Sequence, residues 1–524
     1  MKNNSKADLL VKNVSWIYFG KLVTQIFGLI VSILVIRKLS VGVFGTYNFL
    51  VASYVVFNVL VVSPIVSVFH RYIPELIQDK DYFRLKKLIF KGFGVFLIAL
   101  LAILFMSYFL KAPFAKFFNI INFNDYILSF TLFVFVMSFK GITVATVTSL
   151  LLQKNLAIFR MISSAISPFV YLAFLPILNV NIMLLISIFL SLVITIPSIW
   201  VLIRFIRKGI TEYKKVAKGR QLNKRIIRFG LLSSFNELGA GIVSKTSDFF
   251  IIAALGSQYL VGVYSFAHKL FNLVYKVLPM EDFLSVVRPI FYRKFTQKYD
   301  KKEFIQIYNF IVKIMLPIFL FPSVYFLIFG KGIINYIYSP KYINAYWVTC
   351  VVLASGITTA IFYPLGLVVR LFEKMEITLY SKIVVVFSIV AGIYGMKTFG
   401  ILGVAFATLL GQLLKNCFIY FMIRRKVLIR YRFREMINFL YISTFLVVTF
   451  FFLQPFITNI YSLIVFSIVF VVVFLFLAIL FHPFNNMDIA LLRKIADSSK
   501  ILKKVFLVVS RIHTLKPKFN TISE

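Results

Sequence analysis

Apolar runs of eighteen or more residues follow one another along nearly the whole chain, separated by short polar connections. Each run is long enough to cross a hydrocarbon layer of roughly 30 Å as a helix. Fourteen are legible, at about 13–36, 43–69, 88–110, 126–150, 159–177, 182–203, 229–254, 260–280, 304–329, 345–369, 377–396, 401–423, 436–457 and 461–481. The pattern predicts an all-α polytopic membrane protein. The first run follows the polar "MKNNSKADLLVKN" and is longer than a signal-peptide core, so it reads as a retained helix.

Composition agrees with this pattern. The chain is 60% hydrophobic and 18% aromatic, with a mean hydropathy of +0.92, outside the range of soluble domains. Cys350 and Cys417 both fall inside apolar runs, which excludes a disulfide framework and a cysteine zinc motif. The four histidines are scattered and there is no P-loop, so neither a metal, a cofactor nor ATP hydrolysis is expected.

A net charge of +40 would suit a nucleic-acid partner, but the placement of the basic residues argues against one. With the N-terminus inside, the inner connections hold 43 Lys and Arg and the outer ones 7. This is the positive-inside pattern. It predicts a multi-pass cell-membrane protein (an inner, cytoplasmic membrane) with both termini cytoplasmic and anionic membrane lipids as partners. The outer loops are short, and the longest inner connection, 204–228, is too short and too charged to fold alone.

The chain also repeats itself. "LSVGVFGTYNFLV" (39–51) matches "LGSQYLVGVYSFAHK" (255–269), with Gly45, Tyr47 and Phe49 falling on Gly262, Tyr264 and Phe266 at an offset of 217. Further on, "RYIPELIQDKDYFRLKKL" matches "VVRPIFYRKFTQKYDKKEF", "APFAKFF" matches "SPKYINAYW", and "LLQKN" (151–155) matches "LFEKM" (371–375). Six helices separate the copies, so both enter the membrane in the same direction, as parallel repeats related by an axis along the membrane normal. The expected organisation is an N-lobe at 1–206, a basic linker at 207–228, a C-lobe at 229–424, two further helices within 425–481, and a basic amphipathic tail at 482–524 lying along the cytoplasmic face.

The opening "WIYFGKLVTQIFGLIVSILVIRKLSVGVFGTYNF", the segment "HRYIPELIQDKDYFRLKKL" and "FGILGVAFATLLGQLLKN" (399–416) together resemble the polysaccharide exporters of the MOP flippase superfamily, the Wzx-type oligosaccharide carriers. The resemblance covers roughly residues 10–425. It implies two six-helix lobes plus two helices, and alternating access around a central cavity. It also implies an anionic polyprenyl-diphosphate-linked oligosaccharide as substrate, flipped to the outer leaflet for surface polysaccharide synthesis beside other assembly proteins. A lipid II flippase and a multidrug exporter of the same superfamily are the neighbouring alternatives. A membrane-embedded glycan polymerase or ligase is the enzyme alternative, and the short outer loops, nearly free of carboxylates, speak against it.

Charged side chains within the runs need a reason, because each costs roughly 2.5–3.5 kcal/mol at the bilayer centre. The eight cations are Lys21, Lys140, Lys245, Lys269, Lys276, Lys313, Lys382 and Lys415, with Glu237 and Asp248 as the clear acidic partners. Lys21, Lys276 and Lys382 lie within snorkelling reach of cytoplasmic ends; Lys313 and Lys415 suit packing roles or a misplaced boundary; Lys140, Lys245 and Lys269 are deep. Spacings of three and four put Glu237, Gly241, Lys245 and Asp248 on one helical face. Lys21, Gln25, Gly28 and Ser32 make the corresponding stripe in the first run, and Lys269 and Lys276 share a face. The expected translocation cavity is therefore lined by Lys21, Gln25, Ser32, Lys140, Asn236, Gly241, Lys245, Lys269 and Lys276. Asp248 and then Glu237 are the candidates for coupling to a proton or sodium ion. A Lys245–Asp248 ion pair that merely lets the helix insert is the alternative.

Overall fold

The computed structural model describes residues 20, 23–212, 230, 246–278, 287–288, 291–292, 295, 300–425, 427, 431, 433–481 and 488–489. All regular structure among them is helical. The long helices are α1 (23–38), α2 (Val41–Gln78), α3 (Tyr82–Phe109), α4 (Phe123–Ser149), α5 (Gln153–Ala173), α6 (Val180–Glu212), α7 (Thr246–Leu255) and α8 (Gln258–Val277). They continue with α9 (Lys301–Gly332), α10 (Tyr346–Leu371), α11 (Met375–Phe399), α12 (Ile401–Arg424), α13 (Phe433–Leu453) and α14 (Ile460–Leu480). Ten stretches of the described residues are long and apolar enough to span a membrane. A polytopic all-α protein is thus what the chain builds, and every predicted run has a helix on it. α2 passes through a π-helical turn at Asn58–Val62, and α6 extends through residues 207–212 of the expected linker.

The repeat holds at the level of single hydrogen bonds. The Ser40 hydroxyl accepts from the Val43 N–H at 3.3 Å at the start of α2, and Ser257 accepts from Leu260 at 3.4 Å at the start of α8, again 217 residues on. These are equivalent N-caps, each satisfying an orphan donor of a first turn. Asp81 before α3 accepts from the Arg84 N–H at 3.0 Å, and Asp300 before α9 accepts from Glu303 at 3.0 Å. Phe49 packs on Phe114 and Phe118 with centroids 6.0 and 5.0 Å apart, while Phe266 packs on Tyr338 and Tyr342 at 5.2 and 4.7 Å. In each copy, then, the segment after the third helix folds back onto the same aromatic residue.

One detail of the predicted alignment changes. α4 ends in a 6→1 and a 5→2 hydrogen bond, Leu152 N–H to Val147 and Leu151 N–H to Thr148, and α10 ends in the same pair, Lys374 to Val369 and Glu373 to Arg370. Leu151 and Glu373 are left-handed, with φ of 60° and 53°, as a Schellman end requires. Leu151 therefore corresponds to Glu373 rather than to Leu371, the repeat offset having grown from 217 at Gly45 and Gly262 to 222 at this turn.

The chain forms two compact units, Met1–Ser265 and Phe266–Glu524. The boundary of the first unit falls inside α8, because the segment from α7 into the first turns of α8 packs with that unit. Gln258 donates to the Phe118 carbonyl at 2.8 Å, Asn119 donates to the Ala253 carbonyl at 3.3 Å, and Phe250 meets Phe49 and Phe118, each at 5.3 Å between centroids. At the centre of this contact Gly45 of α2 faces Gly262 of α8. A Cβ built on Gly45 would lie 1.8 Å from the Gln258 carbonyl oxygen, and one on Gly262 would lie 2.0 Å from that of Val41. Only glycine at both places lets the two backbones come so close.

The second unit is built around α9. Its buried face, from Phe304 through Tyr308, Ile311, Met315 and Phe319 to Phe329, packs against residues of α10, α12, α13 and α14, with Phe450, Phe470 and Phe474 among its partners. This ring-rich contact fixes the long helix on which Lys313 stands.

Candidate functional site: cations paired with cations

In the first unit α6 carries a hydroxyl stripe, Ser187, Ser191 and Thr195, spaced by four residues and so on one face. Lys140 of α4 donates to the Ser191 oxygen at 3.0 Å and lies 3.2 Å from the Met137 sulfur. One turn away Ser187 is bonded to the Tyr47 hydroxyl at 3.0 Å. The nearby charge is not an acid: Arg160, on α5, is within electrostatic reach of Lys140. A half-buried ammonium with a hydroxyl, a thioether and a guanidinium for company is an uncompensated positive site, costly in a low dielectric.

The second unit repeats the theme. Lys269 and Lys276, predicted to share a face of α8, are close enough to repel each other, and among the described residues no carboxylate pairs with Lys269. Lys415 of α12 is within electrostatic reach of Lys382 of α11.

Lys313 is different and corrects the expectation from sequence. It is 1% exposed and bridges to Asp488 at 2.7 Å, whose side chain is also 1% exposed. The acids available to the interior therefore include one from the tail. Asp488, within the predicted tail, is buried against α9; the rest of the tail but residue 489 lies outside the described residues. The packing or boundary role expected of Lys313 gives way to an ion pair 175 residues apart in sequence.

Asp248 is 5% exposed and accepts a hydrogen bond from the Tyr264 hydroxyl at 2.6 Å. Both lie within a few turns of the α7–α8 junction. Tyr264 is the repeat equivalent of Tyr47, so both copies use this tyrosine to reach a polar group on a neighbouring helix. Ser32, matched with Asp248 across the repeat, is 2% exposed and its hydroxyl finds no partner. Gln25 is half-buried on α1. Lys21, Asn236, Glu237, Gly241 and Lys245 lie outside the described residues. Arg160 was missed from sequence because it was assigned to an inner connection. Only the structural alignment supplies the match: Arg160 stands nine residues after left-handed Leu151, as Lys382 stands nine after left-handed Glu373. No group of three or more His, Cys, Asp or Glu that could hold a metal occurs among the described residues.

No family model matches the sequence, and no curated protein matches it. Solved structures do share its fold. A lipid II flippase, MurJ, in an inward closed conformation superposes with a TM-score of 0.66 at 14% identity, covering 89% of this chain and 98% of that one. An inward-facing multidrug resistance MATE family transporter of the MOP superfamily superposes with a TM-score of 0.59 at 12% identity, over 77% and 94%. Both neighbours are transporters, and the match takes in nearly the whole of each. The chain shares the polytopic helical fold of these two proteins.

Proposed function

We propose that the protein is a flippase for a lipid-linked oligosaccharide, carrying an anionic polyprenyl-diphosphate glycan from the cytoplasmic to the outer leaflet for surface polysaccharide assembly. The observation that carries this reading is Lys140, held by the Ser191 hydroxyl at 3.0 Å with Arg160 and no acid as its nearby charge, together with buried Lys269 in the second unit. Like charges held together in a low dielectric are stabilised by an anion that comes between them. A diphosphate brings several acceptor oxygens that ammonium and guanidinium groups bind strongly, and the hydroxyls of Ser187, Ser191 and Tyr47 suit a glycan or phosphate oxygen. An organic cation, the cargo of a multidrug exporter, would meet the wrong sign. Lys21 and Lys245 belong to the same proposed cationic lining, with Gln25, Ser32, Asn236 and Gly241. Asp248, and after it Glu237, are the proposed seats of a coupling proton or sodium ion.

A lipid II reading stands second, supported by the fold match to a lipid II flippase over 98% of that chain. Reconstitution into liposomes with each lipid separates the two. With a polyprenyl-diphosphate oligosaccharide, Lys140→Gln, Arg160→Gln and Lys269→Gln should each slow flipping about tenfold or more, as expected when one charged hydrogen bond to a bound anion is lost. Wild-type rates in all three variants would sink the reading, and faster flipping of lipid II than of the oligosaccharide would reassign the substrate.

A further inference from the structure

α3 and α9 are the same helix in the two copies of the repeat. With Asp81 set on Asp300 the offset is 219, and residues sealed in one copy fall on residues sealed in the other: Leu85 on Phe304, Ile89 on Tyr308 and Phe96 on Met315. The remaining faces differ. Phe90, Leu97, Leu101 and Phe105 of α3 are exposed, whereas their counterparts Asn309, Leu316, Leu320 and Val324 are buried, because α9 stands in a core that includes residues of α10, α12, α13 and α14. The rings that α9 turns to α14 are Phe321, Tyr325 and Phe329. Ala102, Met106 and Leu110 stand at those places in α3, so this face is not built to take a second aromatic hairpin.

The open face carries its charge at one end. Lys86, Lys87 and Lys91 are exposed, where α9 has Ile305, Gln306 and Phe310. Lys86 lies over the ring of Phe90, 5.8 Å from its centroid, and Phe83 is exposed beside it. Among the described residues no carboxylate pairs with the three lysines; Glu75 pairs with Arg71 at 3.6 Å and Asp81 with Arg84 at 3.3 Å. Their depth suits a head-group phosphate. α3 has 28 residues, about 42 Å of helix against a hydrocarbon core of roughly 30 Å. Lys86 and Lys87 stand four and five residues after Tyr82, about 6–8 Å along the helix and before the apolar run opens near residue 88. They fall in the length that the core does not need, and charge asymmetry makes that end the cytoplasmic one. Lys91, one turn deeper, is within snorkelling reach.

We propose that Lys86 and Lys87, with Lys91 behind them, bind the phosphodiester of an anionic phospholipid of the cytoplasmic leaflet, its acyl chains lying along Leu97, Ile98 and Leu101. Lipid covers on α3 what protein covers on α9, and the three ammonium groups select its charge. The proposal is independent of which substrate is carried.

The test is quenching of a single tryptophan by brominated lipids. Ile98→Trp is placed in the full-length protein together with Trp16→Phe, Trp200→Phe and Trp347→Phe, and the protein is reconstituted into vesicles of phosphatidylglycerol and phosphatidylcholine. Ile98 is 72% exposed and eleven residues from Lys87, on the same helical face. Brominated phosphatidylglycerol should compete for this position roughly tenfold better than brominated phosphatidylcholine. Lys86→Gln/Lys87→Gln should bring the two lipids level, a loss in keeping with about 1 kcal/mol per basic group near the surface, while Lys86→Arg/Lys87→Arg keeps the preference. Phe105→Trp in place of Ile98→Trp, toward the other end of the face, should show no preference. Equal competition by the two lipids at position 98 would overturn the site, as would a preference that survives the double glutamine variant or appears equally at position 105. Quenching by neither lipid would mean that a protein covers the face, and loss of the preference in millimolar inorganic phosphate would assign the lysines to free phosphate; either result overturns the lipid assignment. Both lysines are exposed, so their replacement leaves the packing of α3 intact.

Discussion

Lys313→Met will lower the stability of the folded protein by about 3–5 kcal/mol, and Asp488→Leu by a similar amount, whereas the double variant Lys313→Met/Asp488→Leu will recover most of the loss. The pair is 2.7 Å apart and essentially closed to solvent, so either single change takes away the counter-ion bonded directly to a buried charge. Replacing both removes the charge altogether, and an apolar pair of similar volume is often as stable as the ion pair it replaces. The reading is thermal unfolding in detergent micelles at constant lipid, with the single variants melting well below the wild type and the double variant close to it. Truncation before residue 482 provides an independent arm, since it takes the Asp488 carboxylate from Lys313 just as Asp488→Leu does. If both single variants melt with the wild type, the tail is not held by this bond. A non-additive cycle, in contrast, makes Asp488 an integral part of the α9 core.

The helices were legible because lipid-spanning segments announce themselves by length and hydropathy alone, and every run predicted from sequence carries a helix. The repeat was legible for another reason: Gly45, Tyr47 and Phe49 and their counterparts perform geometric tasks that tolerate few substitutes. Four short matches in one order therefore stood for conserved contacts such as Phe49 on Phe118 and Phe266 on Tyr342. Lys269 and Lys276 were placed on one face by their spacing of seven, and their electrostatic coupling bears that out. What escaped was pairing between segments far apart in the chain. Nothing in "NNMDIALLRK" marks Asp488 as the partner of Lys313, because helical periodicity relates neighbours on one element and says nothing about which elements meet. Asp248 showed the same limit. Its spacing suggested Lys245, while the structure adds a hydroxyl sixteen residues away on α8.

The Gly45–Gly262 crossing should respond more sharply to a single methyl group than any other helix contact in the first unit. Gly45→Ala would drive its Cβ to 1.8 Å from the Gln258 carbonyl oxygen, and backbone cannot swing aside as the end of a side chain can. α2 must move away from α8 or the contact breaks, at a cost of about 2–3 kcal/mol by analogy with overpacked cores. Gly42→Ala, one turn earlier on the same helix, meets nothing within 4 Å and should be neutral or stabilising by up to about 1 kcal/mol, as alanine for glycine in a helix generally is. Separate melting curves for the two variants distinguish a specific close approach from a general need for glycine in α2. The transport assay then bears on mechanism: if α2 and α8 part to release cargo on the outer side, Gly45→Ala favours the parted state and shifts flipping, whereas Gly42→Ala leaves it unchanged. Equal melting of the two variants would show that the helices do not meet at Gly45. A destabilised Gly45→Ala that still flips at the wild-type rate would confine the crossing to a structural role and place the gating step elsewhere along the repeat.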